Sequence, residues 1–514
     1  MAAAPNLILQ LQRMGDLVLS FPLFAWLRHL EPDRPLWVVA EPGFYQALLP
    51  LAPPVLFMPP DAPALRKTGF HRIINLSHRP EAARLAGELR AERIAGRVER
   101  DGIARIHGAW SLYRASLVHN NRHNRFHWAD LNGLDLFAEL DPDGPGRCVW
   151  PRIRPPRGTG KVGLFVGASE AAKRPEPEFW ARLAAHLMRR GLHPVLLGGP
   201  GEQALGDKAA RLARIPRGNL CGRFSLAGLV RFLSGLDLLV TPDTGPMHVG
   251  AWAGTLTLNL SMGPVNAWET APFPPGHLVL RPTASCVGCW ACTRADHPCR
   301  RRFEPGRVAA LVHSLLSPGH RLPSPPGLRL ARTARSVQGL FDLAPVLPDS
   351  VPRDGGGQEN KAQSGAPEAG GAAPRFRDAL GEFWRQWFLS RLGGPAHSLP
   401  AALGALDAPL IPRAGDGWGE AGARATGDDR GAEEDIRKPA SPRRLLRRHL
   451  APWQARLASE LKRGAPAGSW WGQTPPLIRP LSGYLQMELE NGDYQRQARL
   501  AALEHVEALR EALG

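Results

Sequence analysis

Short apolar runs alternating with helix-forming stretches constrain this chain more than anything else in it. Leu7 to Leu11, Leu36 to Ala40, Val55 to Met58 and Ile73 to Leu76 each suit a strand buried on both faces. Leu17 to Leu30, between the first two, has helical periodicity. Strand and helix in turn imply a parallel sheet covered by helices. After a Pro-rich bridge, Pro151 to Gly160, the pattern starts again. Val162 to Val166, Pro194 to Leu197, Leu236 to Val240 and Thr255 to Leu260 read as strands, with Phe179 to Arg190 and Leu226 to Leu233 as amphipathic helices. The expected fold class is therefore α/β, with two Rossmann-like doubly wound domains at 1–150 and 160–320.

The chain does not end there. Residues 348–374 are rich in Gly, Pro, Ala and charge without periodicity and read as a disordered linker, and 407–434 is similar. Within 375–514 lies a helical accessory region: Phe376, Leu380, Phe383, Trp384, Trp387, Phe388 and Leu392 recur at spacings of three and four, as do Leu500, Leu503, Val506, Leu509 and Leu513.

In open parallel sheets, ligands bind at loops that follow a strand and open a helix. Three loops fit. In Arg13-Met14-Gly15-Asp16, Gly15 allows a tight turn and Asp16 falls in a helix first turn that favours an ionised carboxylate, so it suits a general base or a plain capping group. In Asp243-Thr244-Gly245-Pro246-Met247-His248, Pro246 suits the first helical turn, and the unpaired N–H groups there can take a diphosphate, with His248 one turn in. In Gly198-Gly199-Pro200-Gly201-Glu202, Glu202 can accept from ribose hydroxyls. Lys173, between a strand and a helix, can neutralise phosphate.

These segments together resemble glycosyltransferase family 9, the ADP-heptose lipopolysaccharide heptosyltransferases. The likeness runs through about the first 315 residues. It rests on R-M-G-D-L-V-L-S-F-P at Arg13 to Pro22, K-R-P-E-P-E-F-W at Lys173 to Trp180, G-G-P-G-E at Gly198 to Glu202 and D-T-G-P-M-H-V-G-A-W-A-G at Asp243 to Gly254. The resemblance implies a glycosyltransferase B fold, two Rossmann-like domains facing a cleft, and an inverting transfer that needs no metal. It implies Asp16 as the base toward the acceptor hydroxyl, Lys173 at the donor phosphate, Glu202 at the ribose, and Thr244, Gly245 and Met247 as main-chain donors to the diphosphate. The implied partners are an ADP-heptose-like nucleotide sugar and a lipid-linked, lipopolysaccharide core-like acceptor. One departure stands out. Where the family usually has F-G-P-T, this chain has Ser261-Met262-Gly263-Pro264-Val265, which lacks the hydroxyl.

A formal net charge of +17 would suit a nucleic-acid binder, but only seven of the 64 basic residues are Lys, and no nucleic-acid motif appears, so nucleic acid is not expected as a partner. The basic stretch Arg437 to Arg463 reads as a solvated helix face or as a peripheral contact with an anionic membrane. No apolar run is long enough to span a bilayer, and Arg13 and Asp16 spoil a signal peptide, so the expected location is the cytoplasm, at the inner face of the inner membrane if peripheral.

Cys286, Cys289, Cys292 and Cys299 can hold a structural zinc or an iron-sulfur cluster, although reduced thiols or a redox disulfide are the plainer expectation. No cofactor is required for the transfer. Asp141 to Asp143 reads as a turn rather than a manganese site. His119, His123 and His127 would share one side of a helix, as a polar surface rather than a metal site. Two rivals keep the same scaffold: a noncatalytic sugar-nucleotide-binding or envelope-assembly protein, and a nucleotide-sugar epimerase.

Overall fold

The structure, a computed structural model, describes residues 3–140, 150–283, 289, 297–317, 319–323, 325–336, 339–346, 376–393, 399–407, 441–462 and 474–514. The expected linker at 348–374, all of that at 407–434 but Asp407, which ends the helix Leu399–Asp407, and the Asp141 to Asp143 turn lie outside the described residues, as do Cys286 and Cys292. Contacts divide the chain into two compact units, one of Met1–His107, Phe126–Leu136 and Pro145–Ala362, the other of Gly108–Arg125, Phe137–Gly144 and Gln363–Gly514.

The first unit holds two sheets. One is built from β1 (Asn6–Gln10), β2 (Leu36–Ala40), β3 (Leu56–Met58), β4 (Gly69–Asn75), β5 (Arg90–Arg100) and β6 (Ile103–His107), in the order β3-β2-β1-β4-β5-β6. All are parallel except β6, which runs antiparallel to β5. The other comprises β7 (Lys161–Phe165), β8 (His193–Leu197), β9 (Leu238–Pro242), β10 (Thr257–Leu260), β11 (Leu278–Pro282), β12 (Leu328–Arg335) and β13 (Phe341–Pro345), in the order β13-β12-β11-β10-β9-β7-β8. β7 to β11 are parallel, and β12 and β13 are antiparallel additions at one edge. These two mixed, mainly parallel sheets with C-terminal helices give the α/β class, two Rossmann-like sheets and a helical region, expected from sequence. In each sheet the strand order reverses beside the first strand, and there the loops after β1, β7 and β9 open toward helix N-termini.

Central strands such as β1 and β9 are buried throughout, because helices cover both sheet faces. The expected helix over Leu17 to Leu30 is two helices, Met14–Leu19 and Phe21–Leu30. Pro22, which lacks an N–H, takes the first turn of the second, where none is needed.

Aromatic packing joins the two halves of this unit. The Trp150 ring lies 5.4 Å from Trp26 and 5.2 Å from Phe273, while Trp252 meets Phe21 at 5.6 Å. Trp252 Nε1–H donates to Leu51 O at 2.9 Å, so indole burial leaves no donor unpaired. His127 acts as a strut: its Nδ1 accepts from the Ala129 N–H and its Nε2–H donates to Ala271 O at 2.9 Å. The expected helical stacking of His119, His123 and His127 is not what forms. The preceding helix ends at Ser116, His119 takes φ 58°, and His127 caps the helix Trp128–Leu131.

The second unit is a helical bundle of Ala109–Ser116, Phe376–Leu392, Leu399–Asp407, Pro442–Lys462, Arg479–Asn491 and Arg496–Leu513. It takes its first helix from the middle of the N-terminal half of the sequence. Trp110 is buried with its Nε1–H on Gly393 O at 2.6 Å, Tyr113 packs 4.5 Å from Phe388, and Asn120 Nδ2 donates to Arg479 O at 2.9 Å. Gly483 has to lack a side chain, because a Cβ there would stand 2.3 Å from Asn120 Nδ2. The helix Phe376–Leu392 was expected to bury one face, yet Arg385 and Gln386 are buried beside Trp384, Trp387 and Phe388. Around Arg496–Leu513 the inward face is Ala502, His505, Val506, Leu509 and Leu513, and Leu500 faces outward.

Candidate functional site

The loops after β1 and β9 meet. Gly15 and Gly245 pack so closely that a Cβ on Gly15 would stand 3.2 Å from Gly245 Cα and 3.3 Å from the His248 ring. Asp16, partly buried in the helix Met14–Leu19, accepts the Arg13 N–H on Oδ2 at 3.3 Å, so its capping role is real and leaves it in the first turn beside the second loop.

Helix Gly245–Trp252 begins with Thr244 in extended conformation and no side-chain cap. The N–H groups of Thr244 and Gly245 take no acceptor among the described residues, and Pro246 has none to offer. Met247 departs from its expected role, since its N–H already donates to Thr244 O at 3.0 Å. A short first turn uses up that amide, and the donors left for an anion are those of Thr244 and Gly245. His248 is buried, and burial lowers its pKa to about 4, so the ring is neutral. It packs beside Gly15 as part of the loop contact.

Asp243, partly buried, lies within electrostatic reach of both Asp16 and Lys173 and accepts the Thr270 hydroxyl on Oδ2. Desolvation raises its pKa to about 6 and Asp16 adds to the rise, while Thr270 and Lys173 oppose it. Lys173 closes a short turn, Ala171–Lys173, and pairs with Glu170 at 2.8 Å. Gly263 fixes where that turn sits: with φ 74°, it approaches so closely that a Cβ would stand 2.5 Å from Ala172 O.

Glu202 lies across the ends of β7 and β8. Its Oε2 accepts the Gly199 N–H at 2.8 Å, and a Cβ on Gly167 or Gly198 would come within 2.7 Å of its side chain. The glycines thus make room for the carboxylate itself.

The structure therefore brings Asp16, Lys173, Asp243, Thr244, Gly245 and His248 together, with Glu202 at the neighbouring strand ends. Sequence reasoning missed Thr270 and Glu170, which have no motif of their own, and read Gly263 only as part of the Ser261 to Val265 departure, not as the residue that seats the Lys173 turn. Among the described residues no group of three or more His, Cys, Asp or Glu could hold a metal ion. Of the four clustered cysteines, Cys289 is partly exposed and Cys299 is buried. No described helix is long and apolar enough to cross a membrane.

Residues 151–285 match the family model described as Glycosyltransferase family 9 (heptosyltransferase). Lipooligosaccharide heptosyltransferase 2 of Campylobacter jejuni is 28% identical over 168 residues, covering 31% of this chain and 52% of the relative. Lipopolysaccharide heptosyltransferase 1 of Pseudomonas aeruginosa is 28% identical over 171 residues, covering 30% and 47%. The chain thus spans about half the length of the curated relatives it matches. Among solved structures, Escherichia coli ADP-heptose lps heptosyltransferase II aligns with TM-score 0.47 and 20% identity, over 61% of this chain and 98% of that one. A family 9 glycosyltransferase of Veillonella parvula aligns with TM-score 0.42 and 20% identity, over 52% and 84%. Residues 151–285, which hold the Thr244-Gly245 helix start, are thus similar to the heptosyltransferases of glycosyltransferase family 9.

Proposed function

We propose that this protein is an inverting, metal-independent glycosyltransferase that moves a heptose or related sugar from an ADP-heptose-like donor to a lipid-linked, lipopolysaccharide core-like acceptor. The observation that carries this reading is the contact between Gly15 and Gly245, which sets a carboxylate beside an uncapped helix start. In the transfer, Asp16 takes the proton of the acceptor hydroxyl as its oxygen bonds to the anomeric carbon, and the bond from that carbon to the diphosphate oxygen breaks. The leaving diphosphate gains negative charge. The Thr244 and Gly245 N–H groups and Lys173 receive it, so they bind the transition state more tightly than the ground state. Glu202 accepts from the ribose hydroxyls and fixes the nucleoside end.

The basic helix Pro442–Lys462 exposes Arg444, Arg447, Arg448, Arg456 and Lys462 and suits a peripheral contact with anionic lipid around such an acceptor. The test is transfer from ADP-heptose to a deacylated core acceptor, by wild type and Asp16→Asn, with and without EDTA. Transfer that survives EDTA and falls at least about 10²-fold in the variant supports the reading, given the usual worth of a positioned base. Undiminished turnover in Asp16→Asn removes Asp16 as base, and sugar conversion without acceptor points to an epimerase.

A further inference from the structure

Thr270 belongs to none of the motifs that carry the family likeness. It closes the short helix Ala267–Thr270, which follows the Ser261 to Val265 loop, and its hydroxyl donates to Asp243 Oδ2. Asp243 is partly buried, directly precedes the Thr244-Gly245 helix start, and interacts electrostatically with Asp16 and Lys173. A carboxylate in that position does two things. When ionised, it makes Asp16 a stronger base by like-charge repulsion, and it supplies Lys173 with a second counter-ion besides Glu170. Both effects need Asp243 charged and held in one orientation, although desolvation drives it toward the neutral form.

We propose that Thr270 is a positioning residue for sugar transfer, its hydroxyl holding in place the Asp243 carboxylate, which lies within electrostatic reach of both the base and the phosphate-binding lysine. The proposal rests on the transferase reading above and adds to it the group that keeps the two loops electrically matched. The neighbouring charged and titratable groups agree with it. Asp16 repels the carboxylate and Lys173 attracts it, while Glu170 is engaged with Lys173. His248, on the helix that follows, is neutral, and Glu269, the residue before Thr270, is buried. Among the described residues Lys173 is therefore the cation acting on Asp243, and Thr270 the hydrogen-bond donor. Pro242 and Pro264 have no N–H to offer. Val265, where the family usually has a hydroxyl, cannot donate either, which leaves this task to Thr270.

The test compares wild type with Thr270→Val, which keeps the shape and removes the donor, and with Thr270→Ser, which restores it. The first readout is the melting temperature from pH 5.5 to 8.5. A hydrogen bond to an ionised carboxylate matters only where that carboxylate is ionised. The deficit of Thr270→Val should therefore widen as pH rises through the Asp243 titration, and Thr270→Ser should close most of it. A deficit that is the same at every pH overturns the proposal, since it would mean a merely structural hydroxyl. The second readout is the pH dependence of transfer from ADP-heptose. The acidic limb of kcat should move to higher pH by about one unit in Thr270→Val, a loss of roughly fivefold at pH 6 that largely recovers by pH 8.5. An unmoved limb overturns the proposal as well. If the wild type transfers no sugar, the transferase reading fails on its own, and the melting series still decides whether Thr270 holds a charged Asp243.

Discussion

Gly15 and Gly245 occupy space that no other residue could share on equal terms: a Cβ on Gly15 runs into Gly245 backbone at 3.2 Å, whereas one on Gly245 meets the terminal methyl of Met14 at 2.8 Å. The asymmetry makes a paired prediction. A methionine end can swing aside, so Gly245→Ala should fold with a melting temperature close to that of wild type. Gly15→Ala presses backbone on backbone and pushes the loop bearing Asp16 away from the helix start. Since a displacement of about 1 Å can cost on the order of 10²-fold in rate, a shift of a few tenths of an ångström should lower kcat by about tenfold. Equal kcat losses in the two variants would show that the loop contact does not set the position of Asp16.

Donor affinity should respond to a glycine far from the reacting bond. Gly167 leaves room for Glu202, whose carboxyl carbon would lie 2.7 Å from an added Cβ. Gly167→Ala must therefore swing Glu202 away and break its bond to the Gly199 N–H. Because ribose contact acts alike on ground and transition states, the expected result is a higher donor KM, by roughly tenfold for one lost charged hydrogen bond, with kcat nearly unchanged. A fall in kcat at constant KM would place Glu202 nearer the chemistry than the ribose.

Both sheets were legible in the sequence wherever strands are covered on two faces, because burial leaves no reason for polar residues and the runs Leu7 to Leu11 and Leu236 to Val240 stand out. β5 was not legible. Its sequence, Arg90 to Arg100, alternates charge with small residues because much of it is exposed near the sheet edge, and β12 interrupts its apolar positions with three arginines. At the site, Asp16, Lys173, Glu202 and the Thr244-Gly245 turn were legible because a strand-to-helix loop concentrates glycine, proline and one charged residue in a few positions. Thr270 was not, since a threonine whose task is to bond a residue 27 positions away carries no local signal. The same holds for Asn120 and Gly483, whose contact spans the chain between the helical segments.

The helical bundle is stitched to the N-terminal half of the sequence through Ala109–Ser116, which makes it more than a tail. Deleting residues 376–514 strips Trp110 and Tyr113 of Phe388, Gly393 and the helix Arg479–Asn491. The shortened chain should bind a dye specific for exposed apolar surface and melt less cooperatively than the full chain. Trp110→Ala in the full chain should cost about 3–5 kcal/mol locally, as a buried indole does. It should raise amide exchange in the bundle helices while leaving β1 and β9 protected. Uniform loss of protection across both units would refute a separate bundle.

Buried neutral histidines should make the first unit sensitive to mild acid. His248 and His277 have pKa values lowered to about 4 and about 3 by desolvation, and His127 is lowered well below 6.5 for the same reason. In the unfolded chain all three take up protons near pH 6.5, so their contribution to stability is full above that pH and is lost as pH falls toward the folded values. Each costs about 1.4 kcal/mol per pH unit across that window. Asp243 runs the other way: with a folded pKa of about 6 against an ordinary value of 3.8, it holds a proton in the fold that the unfolded chain has released, offsetting one histidine between those values. The net expectation is a melting temperature that falls steadily from pH 6.5 to 5. His277 is the one to replace first, since its Nδ1 accepts the Thr257 N–H between β10 and β11 and its ring is fully enclosed. His277→Asn should flatten the pH dependence by about one proton while lowering stability at pH 8. A variant with an unchanged slope would show that His277 is not neutral in the folded protein.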